Sequence, residues 1–212
     1  MRNIPGRRGA ALIVAMLSIA PGALHAQAAQ PVESGSAAGR RWTPADAEFM
    51  TGMIGHHAQA VMMARWAPTH GAGPDIRALC ERILVAQTDE IKLMQRWLRE
   101  WGQPVPEADA AMDMMPGMEG MHAQMPGMLT AEQLSELDHA RGHDFDQLFL
   151  LYMIRHHQGA LEMVKQLVET PGAARDDLVF KFVSDINADQ STEIKRMSTM
   201  LAGLPAEATA PQ

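Results

Sequence analysis

The sequence predicts an all-α protein, a four-helix bundle made of two duplicated helical hairpins joined by a Met-rich crossover. Three observations carry that expectation. Asp46–Met63, DAEFMTGMIGHHAQAVMM, recurs as Asp146–Met163, DQLFLLYMIRHHQGALEM, with eight identities over eighteen positions and a His-His doublet in register. Gln87–Met94, QTDEIKLM, recurs as Gln190–Met197, QSTEIKRM, so the repeat extends to a second helix in each half. Apolar residues make up 47% of the 212, yet aromatics only 5%, and Ala, Leu and Met favour helix over strand.

Residues 1–26 are expected to be a signal peptide. Arg2, Arg7 and Arg8 precede the apolar run Gly9–Ala20, and small residues offer cleavage after Ala26 or Ala28. The run is too short for a membrane span. Arg7-Arg8 raises a twin-arginine route, although the residues after it fit that signal poorly. The mature chain is therefore expected to be exported to the periplasm without a membrane anchor. Losing the leader takes the net charge from −7 to −10, which disfavours nucleic acid as a partner. Cys80 is the single cysteine, so no intramolecular disulfide supports the fold.

Residues 27–43 read as a disordered linker and 44–203 as the four-helix domain. Thr43 as N-cap and Pro44 at the first position open a helix expected over Pro44–Ala67, stopped by Pro68 and the Gly71–Pro74 turn. The next is expected over Pro74–Trp101, before Gly102 and Pro104. Residues 108–129 form the crossover, with seven Met in the seventeen positions from Met112 to Met128. Pro and Gly there forbid a regular helix. Thr130 and Gln133 make a capping box for one long third helix over Ala131–Glu169. A fourth runs over about Arg175–Leu201, and residues 204–212 are a tail. The repeats thus cover 44–101 and 144–203.

At about 100° per residue, Asp46, Met50, Met53, His57, Ala60 and Ala64 share one helical stripe, as do Asp146, Leu150, Met153, His157, Ala160 and Val164. His57 and His157 are therefore expected to face inward, with His56 and His156 to one side near the neighbouring helix. Gln87, Glu90 and Met94, and likewise Gln190, Glu193 and Met197, form the facing stripes. Thioethers select Cu(I), imidazoles serve both copper oxidation states, and a nearby carboxylate suits Cu(II). The candidate metal ligands are Met50, Met53, His56, His57, Met63, Met94, Met153, His156, His157, Met163 and Met197. The crossover adds Met115, Met118, Met121, His122, Met125 and Met128. Core packing is the competing role for the helical methionines, and Asp46 and Asp146 are most simply first-turn residues favoured by the helix dipole. Cys80 aligns with Val183, which favours a buried, inert thiol.

A carboxylate-bridged diiron oxidoreductase is the alternative, because Glu136–His139 and Glu119–His122 have the Glu-x-x-His spacing. His139 and His143 could join such a site. Neither motif recurs in the other half. A structural helical module without metal is the second alternative.

The residues Asp46-x-x-Phe49, Met53-Ile54-x-His56-His57 and Gln87-x-x-Glu90-Ile91-x-x-Met94, with their second-half equivalents, resemble the family known as domain of unknown function 305 (DUF305), the CopM-like copper-binding proteins. The resemblance spans about Pro44–Gly203. It implies a ferritin-like four-helix bundle, an exported location, and copper binding or tolerance through Met and His. Leu150, in place of the sulfur of Met50, departs from equal sites in the two halves. The expected function is therefore non-enzymatic copper buffering, carriage or resistance, with copper, preferably Cu(I), as cargo and other envelope copper-handling proteins as partners.

Overall fold

The computed structural model describes residues 41–106 and 125–205, and every regular element in them is an α-helix. In chain order they are α1 (Pro44–Arg65), α2 (Pro74–Glu100), α3 (Ala131–His139), α4 (His143–Glu169) and α5 (Asp177–Gly203). The leader, most of the linker and crossover, and the end of the tail lie outside the described residues.

Local chemistry explains each start. Thr43 accepts from the Asp46 N–H while the Asp46 carboxylate accepts from the Thr43 N–H, a reciprocal cap that satisfies two donors otherwise unpaired at a helix end. Thr130 and Gln133 do the same for α3, as their spacing predicts. Pro44 and Pro74 each occupy a first-turn position, where the missing N–H costs nothing.

The single helix expected over Ala131–Glu169 is in fact two. Ala140 is extended (ψ 148°) and Gly142 takes φ 57°, a left-handed conformation that glycine adopts without a Cβ penalty. The Gly142 N–H donates to the His70 carbonyl at 2.8 Å. The ring of His70 bonds the Asp138 carbonyl oxygen at 2.9 Å. The α1–α2 turn thus ties down the break. The last helix also begins two residues later than expected, capped by Asp176, whose carboxylate accepts from the Leu178 and Val179 N–H groups.

α1 packs along α2, α4 packs along α5, and the two hairpins join through α1 and α4. The buried apolar side chains fall into two clusters. One unites the first half of α1 with the ends of α2 and α4 and the start of α5, and it holds Met50, Met53, Met94 and Met163. The other unites the end of α1 with the starts of α2 and α4 and the end of α5, and it holds Met63, Met153 and Met197. The repeat exchanges these sets: Met53 for Met153, Met94 for Met197, Met163 for Met63, and Met50 for Leu150. Each cluster therefore draws sulfur from both hairpins, and the second lacks one.

Asp46 and Asp146 do more than complement a helix dipole. Asp46, which is 1% exposed, accepts through Oδ1 from the Ala174 N–H at 2.7 Å, in the turn before α5. Asp146 accepts through both oxygens from the Gly73 N–H at 3.1 Å, at the start of α2. Each first helix thus ties down the turn of the opposite hairpin with a charge-assisted bond, worth ~1.5–3 kcal/mol. Burial raises the Asp146 carboxyl above its usual range, against the opposing pull of the Gly73 N–H.

Candidate metal centre

Between the two apolar clusters lies a polar layer built from the repeated residues. His56, His57, His156 and His157 are all 0% exposed, and Gln87 and Gln190 are buried beside them. Successive helical residues diverge by about 100°, but α1 is covered on two sides, so both members of each doublet are buried. His57 turns towards α2, where its Nε2–H donates to Glu90 Oε2 at 2.7 Å. His157 repeats this towards α5, donating to Glu193 Oε2 at 2.6 Å. His56 and His156 meet each other between α1 and α4, their ring centroids 3.8 Å apart and tilted by 38°. The expectation that only His57 and His157 face inward is corrected: His56 and His156, placed to one side near the neighbouring helix, are just as buried.

The carboxylate partners place the proton of His57 and His157 on Nε2, leaving each Nδ1 with a lone pair. The Pro126 carbonyl, 3.0 Å from His56 Nε2, does the same for His56. None of these Nδ1 atoms has a hydrogen-bond partner, and neither ring nitrogen of His156 has one. The His56 carbonyl lies close to the His156 ring but outside hydrogen-bonding geometry. Both amide atoms of Gln87 and the amide oxygen of Gln190 are unpartnered as well. Buried polar groups are rarely left this way, because each costs ~1–3 kcal/mol. Unpartnered ring nitrogens on buried imidazoles, in a layer bounded by thioethers, are what a soft transition ion requires of its ligands.

Burial above all, and then the neighbouring histidines, push the His56 ring down to about 3, and His156 falls well below the usual range for the same reasons. Both rings are neutral near pH 7, as metal ligation demands. A base whose pKa falls on folding leaves stability intact above its unfolded value of 6.5; stability is then lost as acid approaches about 3. The slope is ~1.4 kcal/mol per pH unit for each such ring. Urea unfolding of the metal-free protein at pH 7.5 and pH 5 is expected to differ by ~2 kcal/mol or more. An equal midpoint at both would show that the rings are not held neutral.

Met50, Met53, Met63, Met94, Met153 and Met197 are fully buried, and Met163 is 9% exposed. Met115, Met118, Met121 and His122 lie outside the described residues. Met125 and Met128 lie within them and are half-buried. A Cβ on Gly52 would stand 3.3 Å from Met125 Sδ and 3.4 Å from Met163 Cε, so the crossover delivers one sulfur to the face of α1 beside Met163. The same segment is held by Gln59, whose amide accepts from the Leu129 N–H at 2.8 Å and donates to its carbonyl at 3.1 Å. Its backbone passes so close to α4 that a Cβ on Gly159 would lie 1.9 Å from the Pro126 oxygen. Gln59 and Gly159 escape a reading of the repeat because each is present in only one copy.

Among the described residues the diiron alternative finds no such assembly. Glu136 accepts a short bond from the Tyr152 hydroxyl, and the exposed His139 turns its Nδ1 to the Ser135 carbonyl at 2.6 Å. Glu119 and His122 lie outside the described residues. Among the described residues no three His, Cys, Asp or Glu side chains group tightly enough to hold an ion. Burial, followed by the charges of Asp146 and Glu81, pushes the Cys80 thiol up to about 12, so it is an inert member of the core.

Known proteins share this architecture. A DUF305 protein from Streptomyces coelicolor is 29% identical, with a TM-score of 0.63 over 74% of this chain and 92% of its own. CopM in its Cu(I)-bound form is 28% identical, with a TM-score of 0.58 over 78% of this chain and 99% of its own. The Cu(II)-bound form is 31% identical, at 0.57 over 74% and 95%. A 55-residue stretch is 34% identical to the uncharacterized protein L153 of Acanthamoeba polyphaga mimivirus; it covers 26% of this chain and about a third (36%) of that protein's length. The family model described as Domain of unknown function (DUF305) matches residues 46–201, which hold both repeats and the polar layer, and the chain belongs to that family.

Proposed function

We propose that this chain is an exported copper-binding protein that buffers or carries the ion in the periplasm, without catalysis. One observation carries the reading: four buried imidazoles retain unpaired ring nitrogens within a layer bounded on both sides by thioethers. His57 and His157 would present Nδ1 while Glu90 and Glu193 hold Nε2, a carboxylate–histidine arrangement that orients a ring and raises its basicity. Met50, Met53, Met94 and Met163 would supply sulfur on one side, and Met63, Met153 and Met197 on the other. Met115, Met118, Met121, His122, Met125 and Met128 would capture Cu(I) on its way in. The likeness to CopM in Cu(I)-, Cu(II)- and silver-bound forms supports the same choice of ion. Among the described residues no helix is long and apolar enough to cross a membrane.

The test is anaerobic competition for Cu(I) against a chromophoric chelator. Changing Met53 and Met153 to Leu, together with His57 and His157 to Ala, is expected to weaken binding at least 100-fold. An unchanged affinity would remove the polar layer from the function.

A further inference from the structure

The polar layer reaches the surface on one side, between α2 and α5. A cleft of about 240 Å³ opens there, and its lining grades from solvent to core. Asp189, Arg82 and Arg196 are exposed at its rim, Glu90 and Glu193 are half-buried, and Gln87 and Gln190 are buried at its floor. Glu90 and Glu193 also hold the rings of His57 and His157, so the cleft ends on the histidines.

We propose that this cleft is a loading port that binds a hydrated divalent cation, Cu(II) being the one it serves, through Glu90, Asp189 and Glu193 and the amide oxygens of Gln87 and Gln190. Two independent features point to a ligand. The three carboxylates come from both hairpins and line one cleft. Among the described residues no arginine forms an ion pair with any of them. The floor amides are at most 3% exposed, yet both polar atoms of Gln87 and the oxygen of Gln190 have no partner. An isolated buried amide is costly, and one facing an ion or its water is not.

The donors are oxygen, the choice of a hard or borderline divalent ion and a poor match for Cu(I). They do not close into a three-ligand cage, so the ion keeps part of its water shell there. The port would pass Cu(II) inward to His57 and His157, where nitrogen replaces water. Its purpose rests on the copper-binding reading above, but its affinity for a cation is measurable without it.

The test uses the full metal-free chain, titrated with Zn(II) by calorimetry and with Cu(II) by electron paramagnetic resonance; Cu(I) is measured separately by anaerobic chelator competition. Asp189→Asn combined with Gln87→Leu and Gln190→Leu is expected to weaken Zn(II) and Cu(II) at least tenfold and to leave Cu(I) within twofold. Replacing amides whose buried oxygens have no partner by apolar groups should not impair folding. Arg82→Glu with Arg196→Glu is expected to strengthen Zn(II) binding severalfold, a gain that a structural role would not give. Divalent binding unchanged by both variants overturns the port, and so does an equal loss of Cu(I) and Cu(II). A wild-type chain that binds Zn(II) and Cu(II) with these sensitivities but holds no Cu(I) supports the port while removing the soft-ion reading of the core.

Discussion

His156→Leu is expected to make the metal-free protein more stable and the copper-loaded protein weaker. Neither ring nitrogen of His156 has a partner, and the ring is wholly buried against His56 between two apolar clusters. Folding therefore strips a polar group of water and returns nothing, at ~1–3 kcal/mol. Leucine removes that cost at comparable volume, so a gain of ~1–3 kcal/mol is expected in urea unfolding. The same change deletes a ligand, and Cu(I) affinity is expected to fall at least tenfold, a loss of ~1.4 kcal/mol or more. The opposite signs matter, because a histidine kept for packing would lose stability on replacement and leave copper untouched. A destabilised variant with wild-type affinity would refute the assignment.

Gly159→Ala is expected to unseat the end of the crossover. Inside a helix this change normally stabilises by ~0.5–1 kcal/mol. Here the new methyl carbon would lie 1.9 Å from the Pro126 oxygen and 2.7 Å from Gly127 Cα, and both are backbone atoms with no rotamer to swing aside. Gly127 in turn has φ 78°, and its own Cβ would strike the Arg155 carbonyl at 2.5 Å, so the two chains touch through glycine on both sides. Overpacking of this kind costs ~1–3 kcal/mol. It also breaks the His56–Pro126 and Gln59–Leu129 bonds, which depend on that seat. A lower melting temperature and faster proteolysis within residues 125–130 are the expected readouts. Gly52→Ala is the control, because its nearest neighbour is the flexible thioether of Met125 at 3.3 Å. Equal effects from the two variants would show that Gly159 has no special contact.

The duplication made most of this architecture legible. Paired His-His doublets, paired Gln-x-x-Glu-x-x-x-Met stripes, the Thr43 cap and the Thr130 capping box place four helices and bring Glu90 and Glu193 to face His57 and His157. What was not legible follows from geometry that a helical wheel lacks. A wheel separates His56 from His57 by about 100°, but it does not say that α1 is covered on two sides, so it lists His56 and His156 as candidate ligands without showing that their rings meet between α1 and α4. Gly142 reads as a tolerated interruption until a left-handed turn and a carbonyl from the α1–α2 loop are seen to need it. Asp189 stands where the first repeat has Ala86, so the comparison that reveals the other site residues is blind to it. Met63 and Met163 look like members of their own hairpins, yet each packs in the cluster with the other repeat's sulfurs.

The exchange of carboxylates between Asp46 and Ala174, and between Asp146 and Gly73, bears on how such a molecule could have arisen. A lone hairpin would keep an acid with no turn amide to close and a turn with no acid to close it. Both wants are met at once when a second copy docks head against tail. Two copies of one hairpin therefore complete each other, each supplying the acid that the other's turn needs.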